Sequence, residues 1–267
     1  MGIPVLEHGS AAGKVAGCRK KAEDIFSGEV QASATIIDAR LHHIPPKQPQ
    51  GILLDPALAV KYRLAIFDSD GTLADTLPWM RSLFNEMAGE HGFKRVDPGD
   101  FERFRDLHGT ALLRELGLPL WKLPRVVGSL RRRMAEHIGT FSLFPGTVEV
   151  LHRLAAAGVQ LAVVSSNSRE NVERVLGANN TRLLAHVACG VSMFGKAARL
   201  RQVICGSTIP PQQAIYIGDE IRDAEAAEKA GIAFGAVTWG QHTEASLRAK
   251  NPAEVFATVQ EIADKLC

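Results

Sequence analysis

The stretch Phe67 to Thr76, FDSDGTLADT, follows a short apolar run that begins at Tyr62. The length of this run and its aliphatic and aromatic residues are typical of a strand buried on both faces. Asp68 and Asp70 are two residues apart, so an extended backbone projects both carboxylates to the same side. Two such charges held close together are unfavourable unless a cation or a shared proton relieves them. The segment is therefore predicted to be a functional site.

The composition of the chain is that of a globular protein with balanced charge. Its 267 residues are 46% apolar, with 31 basic and 29 acidic side chains, which suits one large domain or a core with a smaller insertion. Because the charges nearly cancel, no nucleic-acid partner is expected, and a small molecule is the expected ligand.

The sequence also indicates a cellular compartment. No apolar run approaches the roughly 18 residues that cross a bilayer, so no membrane association is expected. The four cysteines are scattered without a CxxC pair, which fits neither a zinc site nor a disulfide framework. These features predict a cytoplasmic protein, and they leave open whether it is a monomer or a homodimer.

Changes in hydrophobic periodicity divide the chain. Residues 1–60 lack a regular pattern and are interpreted as a solvated N-terminal extension. Residues 78–145 show apolar spacings of three and four between glycines and prolines, which predicts a small all-helical insertion. Within it, Arg131 to Arg133 fan around one helix and are interpreted as a solvated face.

From residue 146 onward, helical and strand patterns alternate. This alternation predicts a mostly parallel sheet with helices on both faces, a three-layer α/β/α Rossmann-like core built from residues 61–77 and 146–267. Two helical segments, Glu244 to Ala249 and Ala253 to Leu266, are predicted to close the chain. Functional sites in such sheets form at the carboxyl ends of the strands.

Four motifs fall at predicted strand ends or helix starts: FDSDGTLADT, VVSSNS, the lysine Lys196 within FGKAARL, and IGDEIRD. In order and spacing they resemble the four motifs of the haloacid dehalogenase superfamily, specifically its phosphatase branch, over residues 62–240. Within that branch the chain looks most like phosphoglycolate phosphatase-type proteins, which place a helical cap between the first and second motifs. The predicted helical insertion matches that location.

The resemblance implies roles for the motif residues. Asp68 would be the nucleophile that forms an aspartyl-phosphate, and Asp70 the general acid for the leaving oxygen and then the base for water. Ser165 would bind the phosphate, with Ser166 and Asn167 as contributors, although Ser and Asn also favour helix N-caps without any ligand. Lys196 would neutralise both the phosphate and the nucleophile.

The resemblance also implies Mg²⁺, held by Asp68, the backbone carbonyl of Asp70 and Asp219. Asp223 would either hold a water on the metal or orient Lys196, and an acidic residue in a first helical turn is also favoured by the helix dipole alone. A charge count supports the ion. Four carboxylates and a phosphate ester face only one lysine, so a divalent cation and a protonated Asp70 are required if phosphate is the ligand.

The function implied is a Mg²⁺-dependent phosphomonoesterase acting on a small phosphorylated metabolite. A sugar-phosphate phosphomutase uses the same motifs and stays an alternative, as does a non-catalytic phosphate-binding or regulatory module. Within the cap, the segment DLHGTALLREL makes His108, Thr110 and Arg114 candidates for substrate specificity. For His108, a plain surface or core-edge histidine is an equally good interpretation.

Overall fold

The computed structural model describes residues 60–105, 107, 109–192 and 195–267, so the predicted N-terminal extension lies outside the described residues except for its last one. The strands of the described chain are β1 (Leu64–Phe67), β2 (Gln160–Val164), β3 (Leu184–Ala188), β4 (Ala214–Gly218), β5 (Ala233–Val237) and β6 (Glu254–Phe256). They form one sheet in the order β3-β2-β1-β4-β5-β6. All neighbouring strands are parallel.

The described helices fall into two groups. Between β1 and β2 lie α1 (Leu77–His91), α2 (Phe101–Phe104), α3 (Gly109–Glu115) and α4 (Leu123–Glu136). The later strands alternate with α5 (Thr147–Ala156), α6 (Arg169–Thr181), α7 (Lys196–Ser207), α8 (Ile221–Ala230), α9 (Glu244–Arg248) and α10 (Gln260–Leu266). Within the described ranges, no helix is long and apolar enough to cross a membrane.

Strand β1 lies in the middle of the sheet and is buried on both faces, as its apolar run predicts. Ala65 and Phe67 belong to a core under α5, α6 and α10. Leu64 and Ile66 belong to the opposite core, under α7, α8 and α9. The predicted three-layer α/β/α fold is confirmed, and it places Asp68 at the centre of the carboxyl edge.

Helices α1 to α4 form the predicted all-helical cap, which has a small apolar core of its own. Its buried members are Val96, Phe104, Leu113, Leu116 and Leu118. The two linkers between cap and sheet lie side by side, since Asp75 N donates to Ser142 O and Phe144 N donates to Leu73 O, both at 2.9 Å. The domain boundaries at residues 77/78 and 145/146 stay a prediction.

The end of the chain differs from the helix predicted over Ala253 to Leu266. Glu254–Phe256 is the edge strand β6, with Phe256 opposite Val237 of β5, and helix α10 begins only at Gln260. Phe256 is fully buried in this position. Burial of its ring, and pairing of the exposed backbone groups of β5, outweigh the local helical spacing.

Candidate active site

The backbone reverses directly after Asp68, so that the first motif forms a compact loop at the end of β1. The carbonyl of Ser69 accepts hydrogen bonds from Leu73 N and Ala74 N, both at 2.9 Å. Gly71 has φ of +77°, which a side chain would strain, and a Cβ there would lie 2.4 Å from Asp219 Oδ2. The predicted reversal at Gly71 therefore also lets the first motif touch the fourth.

Lys196 links the first, third and fourth motifs. Its Nζ lies 2.6 Å from Asp68 Oδ2 and 2.6 Å from Asp223 Oδ1, and the side chain is only 2% exposed. Burial would lower the pKa of Lys196, but the carboxylates of Asp223 and Asp68 outweigh it and hold the pKa above its ordinary value. The ammonium is therefore a permanent charge between two carboxylates.

Asp223 is fixed by the start of helix α8 and by the strand beneath it. Its Oδ2 accepts a hydrogen bond from Glu220 N at 3.1 Å in a capping box. The hydroxyl of the fully buried Tyr216 lies 3.3 Å from Asp223 Oδ1 and 3.1 Å from the carbonyl of Val164. Burial raises the pKa of Asp223 to about 6. Of the two predicted roles for Asp223, the geometry favours orientation of Lys196.

Asp219 is completely buried at the end of β4. Its Oδ1 accepts a hydrogen bond from Thr72 Oγ1, and its Oδ2 accepts one from Gln241 N, both at 2.8 Å. Burial nevertheless raises the pKa of Asp219 well above its ordinary value, and the neighbouring Glu220 and Asp223 add to the shift. A carboxylate in this position needs a cation or a proton.

These carboxylates fit a divalent cation. Asp68, Asp219 and Asp223 each offer a carboxylate oxygen, and these oxygens all lie within 4.8 Å of one another. Three carboxylates and the single ammonium of Lys196 leave two negative charges uncompensated in a buried cluster. Hard oxygen donors with an excess of two charges are the donor set that Mg²⁺ prefers. The Mg²⁺ site implied by the resemblance to the haloacid dehalogenase superfamily is thus consistent with the chemistry of these residues.

Asp70 faces a different partner. The side-chain amide of Asn167 donates to its two carboxylate oxygens, at 3.3 and 3.1 Å. The Asn167 oxygen in turn accepts from Ser168 N at 2.8 Å and Asn171 Nδ2 at 2.9 Å, which fixes the orientation of the amide. Burial raises the pKa of Asp70, against the effect of its hydrogen bonds. Asn167, predicted to contact phosphate, is placed to position the predicted acid.

The second motif keeps one donor available. Ser165 is fully buried at the end of β2, and its Oγ accepts a hydrogen bond from Asn167 N at 3.0 Å. A hydroxyl that accepts one bond still has its own hydrogen to donate. Ser165 therefore fits the predicted role of a hydrogen-bond donor to phosphate. For Ser166, it is the backbone carbonyl that makes a contact across the site.

That contact corrects the interpretation of Arg131 to Arg133 as a solvated face. Arg131 Nη2 donates to the carbonyl of Ser166 and, at 3.4 Å, to that of Val191. Its Nε is buried and has no hydrogen-bond partner among the residues that the structure describes. Arg133, by contrast, pairs with Glu86 and Glu90 on the cap surface. Helix α4 therefore directs Arg131 at the second motif and Arg133 at the acidic residues of the cap surface.

The predicted specificity residues of the cap are not brought to the motifs in the same way. Thr110 and Arg114 are exposed on α3, and no hydrogen bond or ion pair links either side chain to the four motifs within the described chain. His108 lies outside the described residues. Their roles in specificity stay a prediction.

Several contributors to the site were missed from the sequence. Thr72 and Gln241 hold Asp219, Tyr216 lies beneath Asp223, and Arg222 pairs with Glu220 at 2.6 Å. Burial would raise the pKa of Glu220, but Arg222 outweighs it and lowers that pKa to about 2. Thr72 and Arg222 lie within the quoted motifs and Tyr216 directly precedes the fourth, so these three could have been proposed, but the Gln241 contact uses a backbone N–H that any residue supplies.

Comparison with known proteins agrees with this geometry. The family model for haloacid dehalogenase-like hydrolases matches residues 65–237. The chain belongs to the haloacid dehalogenase-like hydrolases, and the predicted resemblance is confirmed.

Individual relatives refine this placement. A phosphoglycolate phosphatase from Synechococcus elongatus is 33% identical over 198 residues, covering 74% of this chain and 93% of the relative. Another, from Agrobacterium fabrum, is 28% identical over 190 residues, covering 66% and 81%. A solved haloacid dehalogenase-like hydrolase from Streptococcus pneumoniae has a TM-score of 0.63 at 22% identity, covering 76% of this chain and 98% of its own, which shows the fold. The predicted enzyme class, a phosphatase-type hydrolase, is confirmed.

Proposed function

We propose that this chain is a Mg²⁺-dependent phosphomonoesterase that hydrolyses a small phosphorylated metabolite through an aspartyl-phosphate on Asp68. The observation that carries the proposal is the buried contact of Lys196 with Asp68 and Asp223, beside Asp219, at the carboxyl edge of the sheet. Such a cluster is costly for stability alone, and it provides both a nucleophile and charge compensation for a phosphate.

In the first half of the reaction, a carboxylate oxygen of Asp68 attacks phosphorus. The bond between Asp68 and phosphorus forms as the ester bond to the leaving oxygen breaks, and Asp70 gives its proton to that oxygen. Burial, which raises the pKa of Asp70, favours the protonated form that this step needs. Asn167 holds the carboxyl group of Asp70 in a fixed orientation.

In the second half, Asp70 accepts a proton from a water molecule as that water attacks phosphorus. The bond between phosphorus and Asp68 breaks, which releases inorganic phosphate and restores the free Asp68 carboxylate. Throughout, Lys196 compensates negative charge at Asp68, and the Ser165 hydroxyl is available to a phosphate oxygen.

The proposed ion is Mg²⁺, held by Asp68 and Asp219, with the Asp70 backbone carbonyl and Asp223 completing the predicted set. When bound, it supplies positive charge that lets a phosphate dianion approach the carboxylates. The residues of the chain prepare this site, because Thr72 and Gln241 orient Asp219 before any ligand arrives.

The substrate is proposed to be a small phosphate monoester of the phosphoglycolate type. The named activity of the Synechococcus elongatus and Agrobacterium fabrum relatives supports this proposal, as does a helical cap that contacts the second motif through Arg131. A cap over the site leaves space for a small molecule and excludes bulk water.

A panel of small phosphate esters tests the proposal, with phosphoglycolate and sugar phosphates assayed in Mg²⁺ and in EDTA. Phosphate release that requires Mg²⁺ is expected for at least one small ester. Transfer between sugar phosphate isomers that exceeds hydrolysis would identify a phosphomutase instead. Metal-dependent ligand binding without turnover of any ester would identify a non-catalytic module.

The stabilising effect of Mg²⁺ is expected to increase with pH. Burial raises the pKa values of Asp68, Asp219 and Asp223, the last to about 6. An acid with a raised folded pKa contributes stability to the metal-free fold that is fully present below its unfolded pKa and is lost as pH rises from there through the folded pKa. Mg²⁺ must therefore displace more protons near pH 5 than near pH 8, where Asp223 has lost its proton.

The measurement is the thermal midpoint in Mg²⁺ minus that in EDTA at both pH values. At 100 times its dissociation constant, Mg²⁺ should add about 2.7 kcal/mol near pH 8. A Mg²⁺ effect that was equal at the two pH values, or larger near pH 5, would contradict these raised pKa values.

Replacement of Arg131 by Ala is expected to raise KM for a phosphate ester about 5-fold to 10-fold, with a smaller effect on kcat. The carbonyls of Ser166 and Val191 lose their donor, so the second motif is held less firmly around the phosphate. Arg132→Ala is the matched control, since in the described part of the chain Arg132 donates only to Ser129 of its own helix. Equal KM values for the two variants would refute a role for Arg131.

A further inference from the structure

A cap arginine contacts the turn that follows β5. Arg105 Nε donates to the carbonyl of Gln241 at 2.8 Å, and Nη2 donates to those of Gly240 at 3.1 Å and His242 at 3.4 Å. The side chain is 22% exposed and its Nη1 pairs with Glu102 at 3.1 Å. One guanidinium thus spans three successive carbonyls, a geometry that a planar fork of donors can reach and a single ammonium cannot.

The same turn holds Asp219 from the opposite side. Gln241 N donates to Asp219 Oδ2 at 2.8 Å, and His242 N donates to the Asp219 carbonyl at 3.2 Å. Gly240 is so close that a Cβ there would lie 2.1 Å from Asp219 Cβ. The turn is therefore packed tightly against Asp219, and a shift of its peptide groups would move the carboxylate.

The turn also reaches the first motif. Trp239 Nε1 donates to the carbonyl of Thr72 at 3.2 Å, and Thr72 Oγ1 donates to Asp219 Oδ1. A cavity of about 180 Å³ lies between cap and sheet here, lined by Arg105, Trp239 and Gly240 among others. Arg105 thus binds the turn whose Gln241 N–H is hydrogen-bonded to one oxygen of Asp219, while Thr72 is hydrogen-bonded to the other.

We propose that Arg105 is a positioning residue that couples docking of the helical cap to the metal ligand Asp219 through the turn at residues 240–242. This inference rests on the proposed Mg²⁺ site. Arg105 directly precedes the predicted specificity segment of the cap, so one side chain links the start of that segment to the turn that holds Asp219. Coupling between two sites is reciprocal, so Mg²⁺ also favours the docked cap.

Two readouts test the coupling without any substrate. Mg²⁺ affinity is measured by calorimetry, and hydrogen exchange of the backbone amides of α2 is measured with and without Mg²⁺. For Arg105→Ala we expect Mg²⁺ affinity to fall about 5-fold or more and the Mg²⁺-dependent protection of α2 to disappear. Arg105→Lys should fall between this variant and the parent.

Arg103→Ala is the matched control. Arg103 lies on α2, two residues before Arg105, is 62% exposed and, among the described residues, forms ion pairs only with Asp100 and Glu115, at 3.7 and 3.9 Å. It should keep the parent's affinity and protection. If circular dichroism shows that Arg105→Ala does not fold, Arg105→Lys carries the test.

A folded Arg105 variant with the parent's Mg²⁺ affinity and the parent's Mg²⁺-dependent protection of α2 would overturn the inference alone. A parent protein that bound no Mg²⁺ would overturn the proposed function as well. The two failures are therefore distinguishable.

Discussion

Replacement of Asp68 by Asn is expected to reduce phosphate release from every active ester by at least about 10³-fold. The amide keeps the size of the side chain but is a far weaker nucleophile than the carboxylate, so the bond to phosphorus cannot form. It also removes one charge from the contact with Lys196 and one ligand from the proposed metal set. The measurement is initial-rate release of inorganic phosphate at saturating Mg²⁺ and ester.

Asp264→Asn is the control for this substitution. Asp264 lies on α10 with its side chain 56% exposed and pairs with Arg153, so the same chemical change should leave the rate unaltered. Both variants should fold, because Asn at position 68 can still accept a hydrogen bond from Lys196. An Asp68→Asn variant that retained more than a tenth of the parent's rate would refute Asp68 as the nucleophile.

Replacement of Lys196 by Met should have the largest effect on stability. The substitution leaves the buried carboxylates of Asp68 and Asp223 without the ammonium that lies 2.6 Å from each. Removal of one partner from a buried ion pair typically costs about 3–5 kcal/mol. We expect a loss of that size in the free energy of unfolding, measured by urea denaturation in EDTA near pH 8, together with loss of phosphatase activity.

The pH dependence of this loss identifies its cause. Without the ammonium, the folded pKa values of Asp68 and Asp223 rise further above their unfolded values. The folded state then binds more protons than the unfolded state, so stability falls as pH increases through this range. The destabilisation should therefore be smaller near pH 5 than near pH 8.

Lys94→Met is the control for Lys196→Met. Lys94 forms an exposed pair with Glu115 at 3.0 Å on the cap, and its loss should leave the urea midpoint unchanged at both pH values. A Lys196→Met variant that was equally destabilised near pH 5 and pH 8 would indicate lost packing rather than unpaired carboxylates.

The sequence was informative where chemistry and burial coincide. The apolar run before Asp68 predicts a doubly buried strand, and β1 occupies the centre of the sheet. The four motifs fall at consecutive strand ends or helix starts, and parallel strands bring their carboxyl ends to one edge. This topology explains why Asp68, Lys196 and Asp223 meet although they are far apart in sequence.

Prediction failed where a contact uses the backbone or depends on the edge of the sheet. Arg131 and Arg105 both donate to main-chain carbonyls, and every residue carries such a carbonyl, so no sequence pattern marks the partner. The stretch Glu254–Phe256 has local helical spacing, but it becomes β6 because the open edge of β5 lies beside it. Both outcomes depend on tertiary structure that residue spacing does not encode.

The most direct test of the proposed mechanism is a search for the phosphoryl group on Asp68 during turnover. The parent enzyme is mixed with its best ester, quenched in acid within one turnover and treated with borohydride, which reduces an acyl phosphate to an alcohol. Peptide mass spectrometry should then detect homoserine at position 68 and unmodified aspartate at position 70. Rapid phosphate release without any modification at Asp68, or with the modification at Asp70 instead, would contradict the aspartyl-phosphate mechanism.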